Sequence, residues 1–261
     1  MLGILNRTPD SFFDGGRYWA FDAFLGQADA LVAAGADGLD VGGVKAGPGP
    51  EVGVEEELGR VVPAIEALAA RFDVPICCDT WRAPVAEAAF AAGAVVGNDI
   101  SGFADAGYLP AAAAAGASVV ATHIRLGPRI PDPAPSYDDL VDDVRSFLAD
   151  RAAMAEAAGI PRERIMVDAG LDLGKTDRQS LELLRASDRL ADLGYVVYLS
   201  ASNKRFLGHL LGIDVADRRE ASHAAHVLGI SRGCRVLRAH DVRGARRVAA
   251  VTSALLEAAT G

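Results

Sequence analysis

Eight short apolar runs in this chain each close on side chains that can hydrogen-bond or carry charge. In order these are Asn6, Asp40, Asp79, the pair Asn98-Asp99, His123, Asp168, Ser202 with Lys204, and Arg238 with His240. Any one of them suits a strand-end turn or a helix N-cap, because Asp, Asn and Ser favour both places. A rim that needed only caps would not also collect Lys, Arg and His. Asp79, Asn98 and Asp168 can share hydrogen bonds with a flat, nitrogen-rich heterocycle. A carboxylate facing a 2-amino-4-oxo pyrimidine edge makes two parallel bonds to it. Lys204 and Arg238 add positive charge and donors that could hold ring carbonyls, stack on a ring or meet phosphate. Asn6 could ligate a Mg²⁺ that also touches phosphate oxygens, since that cation is hard and takes oxygen ligands.

These residues need elements to carry them. Strand candidates are 2–5, 37–41, 74–79, 94–98, 118–123, 164–168, 195–200 and 234–240. They read as continuous apolar runs, as strands buried on both faces of a parallel sheet do. Helical patterns lie between them, among others over 20–34, 54–71, 83–92, 136–158 and 178–192, with last helices over 214–231 and 242–258. Gly35, Gly93, Gly116, Gly159, Gly194 and Gly233 close helices just before strands, where a left-handed C′ residue is wanted. Eight strands, each followed by a helix, are the count of a (β/α)₈ TIM barrel, whose chemistry sits at the C-terminal ends of its strands. A doubly wound open sheet is the rival. The barrel is preferred because eight units fill the chain without remainder, and no linker divides 1–261, so a single domain is expected.

Composition narrows the field. The 261 residues are 51% hydrophobic and 23% charged, which suits a large core and excludes disorder. A net charge of -9 argues against a nucleic-acid partner, which needs a basic face. Cys77, Cys78 and Cys234 show no metal-type spacing, and Cys77 and Cys78 read as buried thiols. A reduced, cytoplasmic protein is the natural reading. No run of about 18 apolar residues would span a bilayer, so no membrane partner is expected. The chain opens almost directly on a strand, which leaves open whether natural residues precede it.

The stretches "GILNRTPDSFFDGG", "DVGGVKAGPG", "DTWRAPVAEAAFAAGAVVGNDISG", "DAGLDLGKT", "SNKRFLG" and "RAHDV" follow one another as they do in dihydropteroate synthases. The chain resembles that family from its first residues to about Val242. The resemblance implies a (β/α)₈ barrel that joins a pterin carrying CH₂-diphosphate to p-aminobenzoate, releasing pyrophosphate with Mg²⁺, in folate biosynthesis. It makes Asn6 the residue that meets Mg²⁺ and the diphosphate, and 7–16 a mobile first loop. It makes Asp79, Asn98, Asp168 and Lys204 the readers of the pterin edge, Arg238 the residue stacked on the pterin, and Arg238 with His240 the anion site. Asn6, Lys204, Arg238 and His240 then carry the chemistry, in which pyrophosphate leaves and an aniline nitrogen attacks the cationic pterin methylene. A homodimer through the last helices is expected on the same ground.

Departures from the family pattern cluster on the second-substrate side, formed by Lys45, Ala46, Gly47, Ser202 and Asn203. Where the family usually reads "GGESTRPG", this chain reads "GGVKAGPG", so Val44 replaces an acid, Ala46 a threonine and Gly47 an arginine. Lys45 is new, and Asn203 replaces the arginine of "SRK". Ala169 replaces a proline and Leu173 an aromatic beside the pterin. Each lost arginine removes charge-assisted bonds worth roughly 1.5–3 kcal/mol. The pattern is similar to a divergent paralogue group with the same "VKAGPG", "DTWRA" and "SNK" motifs.

Two readings therefore stand: a Mg²⁺-dependent transferase, or a paralogue that holds a pterin without turnover. A methyltransferase-like pterin barrel is a weaker third. Other motifs weigh less. "GLDLGKT" is one residue short of a P-loop and follows the sixth strand, so it reads as a barrel loop. His223 and His226, three apart on a helical pattern, could face a metal, but no carboxylate or cysteine completes a site, and a solvated or packed helix face is expected. The proline-rich stretch 125–139 reads as an exposed loop.

Overall fold

The computed structural model describes residues 1–8 and 20–258. Its strands are β1 (Leu2–Asn6), β2 (Gly38–Gly42), β3 (Ile76–Asp79), β4 (Val96–Asp99), β5 (Ser118–Thr122), β6 (Ile165–Asp168), β7 (Val196–Leu199) and β8 (Cys234–Ala239). All pair in parallel, in chain order, and β1 pairs with β8 to close the barrel. The helices are α1 (Phe21–Ala33), α2 (Val54–Arg71), α3 (Ala83–Ala91), α4 (Tyr108–Ala114), α5 (Leu140–Ala157), α6 (Asp177–Arg185), α7 (Ser187–Ala191), α8 (Arg205–Leu211), α9 (Arg219–Ser231) and α10 (Val242–Ala258).

The apolar runs are apolar because both strand faces are buried, in two different places. Side chains alternate across a strand with period two. Leu39, Val41, Ile76, Cys78, Val119, Ala121, Ile165, Val167 and Leu237 face the helices and form the large core with residues such as Phe24, Ile65 and Leu148. The opposite set, Leu2, Val120 and Tyr198 with Val96, Met166 and Val236 against them, fills the barrel interior. The same alternation aims the polar strand ends. Asn98 continues the inward row of Val96, Asp168 that of Met166, and Arg238 that of Val236.

The helix-ending glycines all adopt positive φ. At Gly93 (φ 113) two demands coincide, because a Cβ there would also lie 2.8 Å from Ala69 Cβ. Helix boundaries moved where capping overrode periodicity. The helix expected from 136 starts at Leu140, because the Asp139 carboxylate accepts from Asp142 N at 3.0 Å. The pattern over 178–192 splits into α6 and α7 near Ala186, where Ser187 Oγ donates to Leu184 O at 2.8 Å. The 214–231 pattern begins as a 3₁₀ turn over Val215–Asp217, with α9 following from Arg219. Of the expected first loop, residues 9–16 lie outside the described residues.

Candidate active site

Strand register sets the site. Asn6 is paired with Gly42, Gly42 with Asp79, Asp79 with Asn98, and Asn98 with Val120, so three of the polar ends sit on one row around the barrel. Gly42 leaves a gap in that row. A Cβ there would stand 3.7 Å from both Asn6 Oδ1 and Asp79 Oδ2, so two oxygen donors flank the space. An amide oxygen and a carboxylate are hard ligands suited to Mg²⁺, which keeps waters and substrate phosphate oxygens in the rest of its shell. Among the described residues no group of three or more His, Cys, Asp and Glu side chains could hold a metal ion, so protein ligands alone would not complete such a sphere.

Arg238 is the hub. Its Nε donates to Asp40 Oδ2, and its Nη2 donates to Asp79 Oδ2 at 2.8 Å. Asn98 Nδ2 donates to the same Asp40 oxygen at 3.4 Å. Burial works against a charge on Arg238, yet Asp40 and Asp79 outweigh it and hold the guanidinium firmly protonated. Burial pushes the Asp79 carboxyl up to about 7, with Arg238 acting against the rise and Asp40 adding to it. Asp40 was legible only as a strand end, yet it is fully buried and is the strongest partner of Arg238. The only available signal was an aspartate inside an otherwise apolar run, where an unpaired charge would be costly. Asp99, next to Asn98 on β4, makes a turn instead, accepting from Ser101 N at 2.6 Å and Phe103 N at 2.9 Å.

Across the mouth, the Asp168 carboxylate accepts from Gly170 N at 2.8 Å. Burial raises its pKa, and the Gly170 amide, Lys204, Lys175 and Arg238 oppose that in turn. Gly170 has φ 65, and a Cβ there would collide with His123 O, so no side chain fits. Lys204 lies within electrostatic reach of Asp79 and Asp168, and among the described residues its ammonium makes no hydrogen bond. Asp79, Asn98, Asp168, Lys204 and Arg238 thus form one electrostatically linked group, with Asn6 on the same strand row.

The barrel loop that falls one residue short of a P-loop contributes Lys175. Its ammonium turns inward, 2.8 Å from His123 Nδ1 and donating at 2.8 Å to Leu173 O. Burial lowers Lys175 to about 7 with Asp168 resisting, and burial with Lys175 lowers His123 to about 3. A lysine held this way cannot cradle a phosphate as a P-loop lysine does. Asp172, at φ 69, accepts from Arg205 N at 2.6 Å and Phe206 N at 3.3 Å, tying this loop to the start of α8 directly after Lys204.

The second-substrate side is built differently. Ser202 Oγ accepts from His240 N at 3.1 Å and sits 3.0 Å from His240 Nδ1. Burial, then Arg238 and Lys204, lower His240 to about 3, so it is a neutral imidazole at pH 7. Asn203 is buried at φ 57, with Ser222 Oγ 2.9 Å from its N and 3.3 Å from its Oδ1. Lys45, Ala46 and Gly47 lie half-buried on the loop after β2, and a Cβ at Gly47 would meet only Lys45 Cε, at 4.0 Å. Arg82 braces this region, donating to Glu57 Oε2 at 2.6 Å and Val52 O at 2.7 Å, while Thr80 Oγ1 donates to Glu57 Oε1 at 2.6 Å.

A closed parallel barrel whose mouth carries paired acids, an amide and two cations defines a small-molecule barrel protein that handles a polar, planar ligand. Residues 2–240 match the family described as pterin binding enzyme. The chain belongs to that family and is dihydropteroate synthase-like. It is 43% identical over 256 residues to inactive dihydropteroate synthase 2 of Mycobacterium leprae, covering 95% of this chain and 87% of that protein. The Yersinia pestis dihydropteroate synthase, solved with a sulfonamide drug complex, superposes with a TM-score of 0.94 at 36% identity, covering 98% of this chain and 94% of that one. The Xanthomonas albilineans synthase in complex with 7,8-dihydropteroate has a TM-score of 0.85 at 39% identity, covering 98% and 92%.

Proposed function

We propose that this chain binds 6-hydroxymethyl-7,8-dihydropterin diphosphate at the barrel mouth and condenses it with p-aminobenzoate far more slowly than a synthase with intact loops. The observation that carries this is the contrast within one site: a charge-linked set of Asp79, Asn98, Asp168, Lys204 and Arg238 beside a second loop that holds Ala46 and Gly47. In this reading Asp79 and Asp168 accept from the amino and ring N–H groups of the pterin, and Asn98 shares its amide with the same edge. The free ammonium of Lys204 donates to a ring acceptor. Arg238 stays paired to Asp40 and lays its face on the ring, a geometry a guanidinium suits. Neutral His240, held by Ser202, offers a donor to the departing anion. Mg²⁺, bound by Asn6 with the diphosphate itself, would offset charge on the leaving group. The second substrate's side has one point charge, Lys45, where a bidentate fork would orient an anion. The identity to an inactive paralogue of Mycobacterium leprae supports the slow turnover, and the complexes of the solved synthases support the pterin.

The experiment pairs direct pterin binding with pyrophosphate release on adding p-aminobenzoate. Saturable binding that Asp168→Asn removes, with release near background, is the expected result. Failure to bind the pterin overturns the first half, and release at the rate of a family synthase overturns the second.

The same reading takes 1–261 as one barrel domain and as a cytoplasmic homodimer. Val227 on α9 and Val251 and Leu255 on α10 are exposed apolar residues that support a shared helical face. Three buried, unpaired cysteines fit a reducing compartment. Among the described residues no helix is long and apolar enough to cross a membrane. Light scattering at the mass of one chain would overturn the dimer.

A further inference from the structure

The loop after β2, residues 43–52, borders the second-substrate side and has no helix or strand of its own. It carries Gly47, Pro48, Gly49 and Pro50, and among the described residues 44–52 make no backbone–backbone hydrogen bond. Glycines without a ladder leave a chain little to fix its path. Three arginines from three other elements hold it instead, each by a main-chain carbonyl. Arg60, on α2, donates through Nη1 to Gly43 O at 2.7 Å. Arg82, at the head of α3, donates through Nη2 to Val52 O at 2.7 Å. Arg129, in the proline-rich stretch between β5 and α5, donates through Nη2 to Pro50 O at 2.5 Å.

Each arginine is itself fixed. Arg60 is buried and pairs with Glu56 one turn earlier. Arg82 Nη1 donates at 2.6 Å to Glu57 Oε2, and Glu57 is fully buried. Glu57 Oε1 accepts from Thr80 Oγ1 at 2.6 Å, and Thr80 directly follows Asp79. One buried acid thus ties the far end of the loop to a strand end that faces the pterin site. The stretch carrying Arg129 is pinned too: Arg125 makes two bonds of 2.6 Å to Asp132, and the Tyr137 hydroxyl donates to Gly174 O at 2.7 Å. Packing adds to these bonds. Val44 and Val52 are buried, and a Cβ at Gly43 would lie 2.7 Å from Val61 Cγ1.

We infer that Arg60, Arg82 and Arg129 are positioning residues that set the path of loop 43–52, so that the second-substrate side of the mouth is a preformed wall and not a flap that folds over its ligand. The bonds go to carbonyls, which every residue carries, so the wall keeps its path whatever side chains stand at 44–47. Lys45, Ala46 and Gly47 decide which groups the wall offers, and the arginines decide where they stand. Arg82 suits this task because its fork reaches a carboxylate and a carbonyl at once, which a lysine cannot do. The inference deepens the function proposed above and rests on it only for the identity of the second substrate.

The test is timed trypsin digestion of the native full chain, with mass spectrometry following cleavage after Lys45, because a held loop is cut only when it opens. Cleavage there should be faster by roughly tenfold or more in Arg82→Lys, which keeps a charge beside Glu57 but loses the bond to Val52 O, a bond from a charged donor. Arg129→Ala removes a more open clamp and should give a smaller rise. Cleavage at other sites, in the same spectra, reports the rest of the fold and should not change. The second readout is a split between the two substrates. With Ala46→Thr and Gly47→Arg in place, Arg82→Lys should raise the half-saturating p-aminobenzoate concentration roughly tenfold and leave pterin affinity within about twofold, which a general loosening of the fold would not do. Cleavage after Lys45 that is as fast in the unmodified chain as in both variants overturns the inference, and so does equal weakening for both substrates. A chain that binds no pterin fails the functional reading alone, and the digestion then decides the inference by itself.

Discussion

The inner wall of the barrel mouth and the loops above it answer to different constraints. Asp40, Asp79, Asn98, Asp168 and Arg238 stand on paired strands, so their directions follow from the pleat and their spacing from the register. Arg238 holds two carboxylates at once, and each depends on it for charge balance. Lys45, Ala46 and Gly47 stand on a half-buried loop, and a Cβ at Gly47 would meet nothing nearer than Lys45 Cε at 4.0 Å. A paralogue can therefore drift in its loops while its strand ends stay locked. Asn203 shows the intermediate case: it lies in a loop, yet it is buried at a left-handed φ and committed to Ser222, so its change has been absorbed into the structure.

The comparison can be broken most forcefully at Arg238. Arg238→Met leaves Asp40 and Asp79 buried without their cation and should cost about 3–5 kcal/mol of stability in chemical denaturation. A loss under 1 kcal/mol would mean the inner wall is no more coupled than the loops. Next in size is the gain expected from Ala46→Thr with Gly47→Arg. If the loop is where activity was lost, p-aminobenzoate-dependent pyrophosphate release should rise roughly tenfold or more, the scale of one charge-assisted bond of about 1.5–3 kcal/mol. Adding Asn203→Arg should not add to that gain, because a long side chain would have to fit a buried position and would lose the bond that Ser222 Oγ donates to Asn203 Oδ1.

Asp79 offers a subtler handle. Its carboxyl lies near 7, and only the ionised form accepts two N–H donors from a pterin edge. Pterin affinity should then fall as pH drops below about 7, by up to tenfold per unit, and Asp79→Asn should bind weakly with no step there. A flat profile in the unmodified chain would remove Asp79 from the edge-reading role. Smallest is Asp172→Gly. It relieves a left-handed aspartate but deletes the two bonds that start α8, a net cost of about 1 kcal/mol, with a loosened Lys204 seen as weaker pterin binding.

Much of this was readable beforehand, for reasons that can be named. Strand positions were legible because each run is apolar on both faces and ends in a polar residue, and helix ends because glycine alone suits their C′ geometry. Helix starts were less legible, since Asp139 and the Thr176–Gln179 capping box set them and not the periodicity. The pairing of Arg238 with Asp40, 198 positions apart, has no local signal at all. The same holds for the inward turn of Lys175 to His123 and for the approach of Asp241 to His223.

By itself, then, the order of residues determined the barrel, the family and the list of polar strand ends, because periodicity, turn chemistry and motif spacing are properties of neighbours along a chain. Which of those ends are charged, which hold one another and which remain open to a ligand was decided only when eight strands closed into a ring. Closure brings together groups from remote segments and takes them out of water, and it is burial beside particular partners that sets their protonation and their free hydrogen-bonding capacity.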